Sequence, residues 1–398
     1  MSGSWRKCCG GLVSAAAIGL PLVPAQAGAA PPAPGGTWAI QASPNQPGAT
    51  ANVLSGVSCL AGGTCVAVGT YFTDPNDQFP LAMLRTGSTW AVKPAPHPSG
   101  VRISLFSGVS CATARFCVAV GYTRATPHDP NTTALLERWN GTSWTRQAVP
   151  SPPEAILSAV SCPAQAYCLA VGQRLGGNGI VAPLAEVWNG TSWSLLAAPN
   201  RHAPNGSAFT GVDCVAANSC EVVAAFGYGE GDQTVFAYGF NGKAWTFQKQ
   251  INHSFLGFAF NSESSVSCSS ITACISVGFW EPAQLLGVAE RWDGTSWRWQ
   301  GPPNPPGAGN ENLLGVSCTA AAACTAVGES SKKLSNIPMF TLALTWNGTS
   351  WQRAATPSPA GRSSQLSAVS CTSPTTCVAV GSSASGQKST TLVEVSAG

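Results

Sequence analysis

The chain has 398 residues, of which 44% are hydrophobic and only 9% are charged, and its formal net charge is +3. This weak positive balance provides no electrostatic basis for a nucleic-acid partner, which needs lysines and arginines clustered in patches or stripes. The 43 glycines and 30 prolines predict many turns, and long amphipathic helices are hard to find, so we expect an all-β fold.

The first 27 residues follow the pattern of a secretory signal peptide. Two basic residues precede the apolar stretch GLVSAAAIGLPLV, and small residues ending at Ala27 fit a cleavage site. A membrane anchor is the alternative, but the stretch is shorter than the ~20 residues that span a bilayer, and Pro21 and Pro24 interrupt its end. We therefore predict an exported protein, extracellular or in the cell envelope, with a signal peptide at 1–27 and a proline-rich spacer at 28–35.

Fourteen of the 16 cysteines form seven pairs of identical spacing, and the other two precede the apolar stretch and should leave with the signal peptide. The pairs are Cys59 and Cys65, Cys111 and Cys117, Cys162 and Cys168, Cys214 and Cys220, Cys268 and Cys274, Cys318 and Cys324, and Cys371 and Cys377. Each pair lies between two strand-like runs, which predicts a hairpin with a five-residue turn, a disulfide across it and Cα atoms about 5.5 Å apart. Zinc is the alternative, but zinc ligands usually have two to four residues between them and need two such pairs together.

A second repeated element has the form WNGTSW. Its copies begin at Trp139, Trp188, Trp292 and Trp346, with a diverged copy FNGKAW at Phe240. Asn-Gly between strand-like runs is a strong hairpin signal, because both central residues of a type I′ turn have positive φ. N-glycosylation at Asn140, Asn189 and Asn347 is the alternative. The turn explains the recurrence better, since Asp293 replaces the asparagine in one copy.

One repeat of about 52 residues thus contains four predicted antiparallel strands and ends in a proline-rich link. Such a unit cannot bury both faces of its sheet alone, so the copies must stack. The last repeat stops after three strands, whereas a lone tryptophan-containing segment at residues 36–45 precedes the first cysteine pair. We expect this segment to pair with residues 388–396 and to complete a seven-bladed β-propeller over residues 36–398. An open solenoid would instead need polar caps at both ends.

The repeat resembles the kelch-like, galactose-oxidase-like class of β-propellers, in which the second strand ends in glycine and a later tryptophan precedes a proline-rich link. The matching glycines are Gly69, Gly121, Gly172, Gly278, Gly328 and Gly381. This chain has one glycine where the class usually has two, and Ala224 in the fourth repeat. The WD40 class is less similar, because Trp-Asp occurs only at Trp292. The cysteine-paired repeat is also similar to repeats in exported bacterial proteins. The resemblance implies the fold and leaves the function open.

In a four-stranded blade, the loops between strands two and three and the links between blades emerge on one face, and both hairpin turns emerge on the other. The first face carries the variable segments, and binding residues usually lie on variable loops of a rigid scaffold. Aromatic residues follow the second strand in several repeats, with acidic and basic residues nearby, a combination suited to sugars or extended peptides. The predicted ligand-binding residues are Tyr71, Tyr122, Arg124, Asp129, Tyr228, Trp280 and Glu281.

Two other sets of residues are expected to be structural or solvated. The four histidines, His97, His128, His202 and His253, lack ligand spacing, so we expect exposed loop residues rather than a metal site. Four glutamates recur on the predicted third strand, namely Glu137, Glu186, Glu290 and Glu394. We interpret them as part of the blade pattern rather than as a calcium ring or as the carboxylate pair of a glycosidase.

The sequence contains no distinctive catalytic motif, neither a Ser-His-Asp arrangement nor Asp-box spacing. A copper site with a crosslinked cysteine would need a free thiol, whereas every cysteine after the signal peptide is expected to be paired. We therefore expect an exported binding or adhesion module that recognises a glycan or an extracellular protein. It should be a monomer without cofactor or metal, and without a transmembrane segment once the signal peptide is removed. The alternatives are a carbohydrate-active hydrolase or lyase that uses the same face, and a scaffold of the envelope.

Overall fold

The computed structural model describes residues 37–176, 179–200, 206–228, 232–249, 261–281, 284–301, 309–332 and 338–397. The predicted signal peptide and spacer lie outside these residues, as do His202 and His253. The described residues form 28 β-strands within the compact unit of residues 34–398. No helix in this part of the chain is long and apolar enough to cross a membrane.

The strands are arranged as the blades of an all-β propeller, as the sequence predicted. Strand β1 (Thr37–Ile40) comes first. Blade 1 contains β2 (Ala51–Cys59), β3 (Cys65–Asp74), β4 (Asp77–Thr86) and β5 (Thr89–Val92); blade 2 contains β6 (Ile103–Thr113), β7 (Phe116–Arg124), β8 (Thr132–Trp139) and β9 (Trp144–Arg146). Blade 3 contains β10 (Ala155–Ala164), β11 (Tyr167–Leu175), β12 (Val181–Trp188) and β13 (Trp193–Leu196); blade 4 contains β14 (Ser207–Ala216), β15 (Ser219–Tyr228), β16 (Asp232–Phe240) and β17 (Trp245–Lys249).

The remaining strands continue the same order. Blade 5 contains β18 (Asn261–Ser270), β19 (Ala273–Trp280), β20 (Leu286–Trp292) and β21 (Trp297–Trp299); blade 6 contains β22 (Glu311–Ala320), β23 (Ala323–Ser330), β24 (Phe340–Trp346) and β25 (Trp351–Ala354). Blade 7 contains β26 (Ser363–Ser373), β27 (Thr376–Ser385) and β28 (Lys388–Ala397). Strand β1 pairs antiparallel with β28, from Thr37 opposite Ala397 to Ile40 opposite Glu394.

The first strand of every blade lies at the centre of the ring. Each of these strands contacts the corresponding strand of the next blade, and β26 contacts β2. Together they enclose a channel of about 250 Å³, toward which each contributes a valine: Val57, Val109, Val160, Val212, Val266, Val316 and Val369. The hydrophobic core is divided into clusters between neighbouring blades, which shows that the copies bury their sheet faces against each other.

All seven predicted disulfides are present, each within its own blade. Their Cα atoms are 3.9–4.1 Å apart, closer than the expected 5.5 Å. The two cysteines are directly opposed across the hairpin, and opposed residues that are not hydrogen bonded to each other approach more closely. In blades 2 to 7 the strands continue past the first cysteine, through a register shift, to a turn of only two residues, so the predicted five-residue turn is wrong there and is found only in blade 1.

The WNGTSW element forms a hairpin, but the predicted type I′ turn is wrong. The two tryptophans lie opposite each other, so four residues form the loop, and only Gly141 of the Asn-Gly pair has positive φ. The side-chain Oδ1 of Asn140 accepts hydrogen bonds from the backbone N–H groups of Thr142 and Ser143 at 2.9 and 3.0 Å. Asp293 accepts the same pair of bonds in blade 5. A short side chain with an acceptor oxygen is therefore what the turn requires.

The first tryptophan of this element joins the two hairpin turns of a blade. Trp139 is buried, and its Nε1 donates to the carbonyl oxygen of Ala114 in the disulfide turn at 3.2 Å. The same bond is made by Trp188 to Gln165, by Trp292 to Ile271 and by Trp346 to Ala321. Both turns therefore lie at the same end of the blade. We call this end the turn face. The opposite end carries the links between blades and the loops between the second and third strands, and we call it the loop face.

A closed circuit of hydrogen bonds runs round the ring just before the first cysteines. In each blade the backbone N–H of that cysteine donates to the side chain preceding the cysteine of the previous blade, at 2.7–3.0 Å. The acceptors are Ser370, Ser58, Ser110, Ser161, Asp213, Ser267 and Ser317, in the order of blades 1 to 7. The repeated serine of the VSC motif, replaced by Asp213 in blade 4, thus links each blade to the next. Burial of Asp213 within the ring raises the pKa of its carboxyl, although part of this residue lines the central channel.

Replacing one serine of this circuit is expected to destabilise the propeller. Ser110→Ala leaves the amide of Cys162 without its acceptor, and an unsatisfied buried donor costs about 1–3 kcal/mol. The free energy of unfolding, measured in urea with the disulfides intact, should fall by that amount. Ser107→Ala, which changes a channel-lining hydroxyl, should stay within about 0.5 kcal/mol of the parent. Equal effects of the two changes would contradict a specific role for the circuit.

Candidate functional site

On the loop face, blade 1 carries a group of partly exposed rings. Tyr71 stacks on Phe79 with ring centroids 5.2 Å apart, and Phe79 contacts the ring of His97 at 4.6 Å. Tyr71 and Phe79 are opposite each other on β3 and β4, and His97 comes from the link to blade 2. The stack therefore depends on strand register, which fixes two of its three rings. Burial raises the pKa of the Tyr71 phenol.

An ion pair lies on the same part of the loop face. Arg102 Nε donates to Asp77 Oδ1 at 2.6 Å, and both side chains are partly exposed. This hydrogen bond is the main reason why the pKa of Asp77 lies below its usual value. Asp74, the first residue of the turn, accepts hydrogen bonds from the N–H groups of Asn76 and Asp77 and so fixes the turn that carries Asp77. The pair offers both signs of charge beside the aromatic stack.

Blade 2 brings three of the predicted residues together. The guanidinium of Arg124 lies 5.7 Å from the centroid of the Tyr122 ring, and Arg124 Nη1 donates to the carbonyl oxygen of Pro127 at 3.2 Å. Asp129 accepts bonds from the backbone and side chain of Asn131, which lower the pKa of its carboxyl, with a further contribution from the charge of Arg124. The blade 2 loop therefore has a defined conformation.

The two groups are continuous. The backbone of Arg102 accepts a hydrogen bond from Gln78 N at 2.9 Å and donates one to Ala125 O at 3.0 Å, so it joins the third strand of blade 1 to the end of β7 in blade 2. We call the combined surface the blade 1–2 surface; its side chains are Tyr71, Asp77, Phe79, His97, Arg102, Tyr122, Arg124 and Asp129. Asp77, Phe79, His97 and Arg102 were not among the predicted site residues. Phe79 was detectable in principle, because it is opposite Tyr71 in any hairpin that turns at Asp74–Asp77.

The other predicted site residues do not join this surface. Trp280 ends β19 and the exposed Glu281 follows it, both on blade 5, whose neighbours are blades 4 and 6. Tyr228 ends β15, and its side chain lies outside the described residues. The expectation that the aromatic residues follow the second strand is also wrong, because Tyr71, Tyr122, Tyr228 and Trp280 are within strands. These strands extend beyond the glycine at which the sequence pattern placed their end.

The histidines and acidic residues of the described chain form no group of three or more that could hold a metal ion. His128 is exposed, and His97 is half-buried with its Nε2 3.0 Å from the carbonyl oxygen of Val101. Trp299, on β21, is the largest hydrophobic side chain that is exposed among the described residues.

The structure also reveals a set of buried carboxyls. The four glutamates of the third strand are completely buried. Three further glutamates are buried on first and second strands, namely Glu221, Glu263 and Glu311. Burial raises the pKa of Glu137 and of Glu221 to about 8 each, and that of Glu394 to about 7. Glu311 contacts Arg353. A comparison of aligned blades would have singled out Glu221, because other blades have apolar side chains or Thr325 at its position.

Comparison with known proteins identifies the fold. No family model and no curated protein sequence matches the chain. Among solved structures, YCF48 bound to a D1 peptide is similar with a TM-score of 0.53 and 13% identity, over 91% of this chain and 96% of that one. An Aleuria aurantia lectin in complex with a fucosyl-GlcNAc ligand has a TM-score of 0.45, 12% identity and coverages of 78% and 98%. A Trypanosoma rangeli sialidase has a TM-score of 0.46, 9% identity and coverages of 90% and 55%. The chain is a β-propeller with one disulfide in each blade.

Proposed function

We propose that the chain is an exported binding module that recognises a glycan or an extracellular protein through the blade 1–2 surface. The observation that carries the proposal is the half-exposed Tyr71–Phe79–His97 stack beside the Asp77–Arg102 ion pair. Aromatic faces pack against the apolar faces of sugars, while neighbouring charged groups bind hydroxyls. Among the two classes of partner, this combination favours a glycan.

Export and the kelch-like class belong to the same proposal. Seven disulfides support an oxidising compartment, since such bonds are rare where thiols are kept reduced. The glycine near the middle of the second strand in six blades supports relationship to the kelch-like class. In these six blades the backbone of the first strand approaches so closely that no room is left for a side chain at this position.

The proposal is tested by screening the mature chain against an array of glycans and cell-wall polymers together with two variants. Phe79→Ala removes the centre of the stack and should weaken binding at least about tenfold, the effect of losing an aromatic contact worth about 1.4 kcal/mol. Trp280→Ala changes a predicted ligand-binding residue on blade 5 and should leave binding unchanged. Thermal unfolding of both variants checks that the fold is retained.

The possible outcomes separate the alternatives. Loss of binding in Trp280→Ala but not in Phe79→Ala would place the site on blade 5 and contradict the blade 1–2 surface. No binding by the parent chain would remove glycans, and a screen of extracellular proteins with the same two variants would then decide whether this surface binds a protein.

A further inference from the structure

A separate pocket lies on the turn face between blades 4 and 5. Its volume is about 280 Å³, and residues of both blades line it, including Asn218, Thr246, Thr272 and Trp292. The rim is exposed at Asn218, Thr246 and Thr272, while the carboxyl of Glu221 lies at the inner end and is completely buried.

The buried carboxyl is held in one orientation. Gln248 Nε2 donates to Glu221 Oε2 at 3.2 Å, and Gln248 Oε1 accepts a hydrogen bond from Trp297 Nε1 at 2.8 Å. Because the indole can only donate, this second bond fixes which end of the amide faces Glu221. Within the described residues, Glu221 Oε1 has no hydrogen-bond partner, and no ion pair includes Glu221. One acceptor oxygen thus remains for a ligand.

Blade 4 differs from the other blades at both positions that create this space. The residues aligned with Glu221 are Val66, Val118, Leu169, Ile275, Thr325 and Val378. Glu221 is paired with Gly239 on β16, where the other blades have Leu84, Arg138, Val187, Arg291, Thr345 and Val395. A Cβ at Gly239 would lie 3.0 Å from Gln248 Nε2 and 3.7 Å from Glu221 Oε2. The glycine therefore keeps open the space next to the carboxyl.

We propose that this pocket binds an organic ammonium group, with Glu221 Oε1 as its charged acceptor. A buried carboxylate without a counter-ion is costly, so the free carboxyl holds its proton; a bound ammonium group takes the place of this proton, which leaves to solvent. A single free oxygen matches an ammonium group better than a guanidinium, whose two parallel N–H bonds need both carboxylate oxygens. The Trp292 ring provides an aromatic wall, which attracts cations, and the hydroxyls of Thr246 and Thr272 are further acceptors for the remaining ammonium protons.

An inorganic cation fits the pocket less well. Calcium takes six to eight oxygen ligands, and the described residues contain no cluster of three acidic or histidine side chains at ligand spacing. An aromatic wall also cannot replace the water that such an ion would lose. The same ammonium chemistry is available from an amino sugar and from a lysine side chain of a partner protein, so the experiment must distinguish these two sources.

The test is a calorimetric titration of the oxidised full-length protein with four probes. D-Glucosamine and Nα-acetyl-lysine methylamide carry the ammonium group in a sugar and in a lysine side chain, and N-acetylglucosamine and Nα,Nε-diacetyl-lysine methylamide are their neutral counterparts. Saturable binding of at least one ammonium probe, with its neutral counterpart at least about tenfold weaker, is expected. Whichever ammonium probe binds more tightly identifies the source.

Variants show whether Glu221 is responsible. Glu221→Gln should weaken binding at least about tenfold, since the charge is lost with little change of shape. Gly239→Val introduces the residue found at the aligned positions of blades 3 and 7, and should abolish binding by filling the pocket. Glu186→Gln changes a buried glutamate of blade 3 and is the matched control, expected to bind like the parent.

Several results would overturn the proposal. These are no binding of either ammonium probe, equal binding of charged and neutral probes, unchanged binding in Glu221→Gln with the fold intact, or displacement of the probes by calcium chloride but not by choline chloride at equal ionic strength. The blade 1–2 surface is on the opposite face, so failure of one proposal leaves the other untouched.

Discussion

Gly121→Ala is expected to destabilise the propeller by about 3 kcal/mol or more, a larger effect than that of most single substitutions. A Cβ at this position would lie 2.0 Å from the carbonyl oxygen of Leu105 and 3.0 Å from the Cα of Phe106, both on the first strand of the blade. Neither is the end of a flexible side chain, so the inner strand itself must move. That strand also contributes Ser110 to the circuit of hydrogen bonds around the ring.

The cause is a bulge in the inner strand. The register between the first and second strands shifts between Phe106 and Gly108, just beside Gly121, and this brings the inner backbone close to the second strand. The same close approach occurs at Gly69, Gly172, Gly278, Gly328 and Gly381, with distances of 1.8–2.0 Å to a carbonyl oxygen. The glycine that defines the resemblance to kelch-like repeats is thus explained by sterics rather than by a turn.

Blade 4 provides the matched control, because it has Ala224 at this register position. Ala224→Gly should cost about 1 kcal/mol or less, the entropic cost of glycine within a strand. Urea unfolding of the oxidised proteins measures both changes. A free energy of unfolding for Gly121→Ala within about 1 kcal/mol of the parent would contradict the steric argument. Failure of this variant to fold, with Ala224→Gly folding normally, would support it.

The sequence was sufficient to predict the blades because its local signals recur, the cysteine pair seven times and the WNGTSW element in five copies. Cysteine spacing gave the disulfides, and the Trp and Asn-Gly pattern gave the outer hairpin, even though the turn type was wrong. The turn type depends on the Asn140 side chain accepting backbone bonds in a four-residue loop, a choice that residue propensity alone does not determine. A signal that recurs in many blades predicts the architecture, but it does not identify residues that occur in one blade only.

Candidate sites were harder to predict because they depend on departures from the repeat. Trp280 and Tyr122 both come soon after the glycine of a second strand, but three blades separate blade 2 from blade 5 in one direction and two in the other. Glu221 and Gly239 were overlooked since they lie 18 positions apart and face each other only through the register of β15 and β16. Comparing each blade with the others, position by position, would have singled out both.

The propeller is expected to lose stability as the pH rises from 5 to 8.5. Burial raises the pKa of Glu137 to about 8, with the charge of Arg146 acting in the opposite direction, and burial raises the pKa of Glu221 to about 8 as well. In the unfolded chain these groups ionise near pH 4.5. Below that pH both states hold the protons. Between about pH 4.5 and 8 only the folded state holds them, so unfolding releases protons and becomes easier at each step upward.

Glu137 is the best group with which to test this expectation. It is completely buried on β8 between blades 1 and 2, and within the described residues neither of its carboxyl oxygens has a hydrogen-bond partner. Its contribution to the decline should be on the order of a few kcal/mol, because each unit of pKa difference corresponds to about 1.4 kcal/mol. Guanidinium unfolding at pH 5, 6.5, 7.5 and 8.5, with the disulfides intact, gives the profile.

Glu137→Gln keeps the shape of the side chain and removes its titration, so the variant should resemble the parent at pH 5 and exceed it at pH 8.5. Asp129→Asn is the control: this carboxyl is on the loop face, and its pKa is lowered by the bonds from Asn131, so the substitution should leave the decline between pH 5 and 8.5 unchanged. A stability that is flat or rises over this range would mean that the buried glutamates are ionised in the folded protein. Their charges would then have to be compensated within the interfaces between blades, and the third-strand glutamates would no longer be neutral parts of the core.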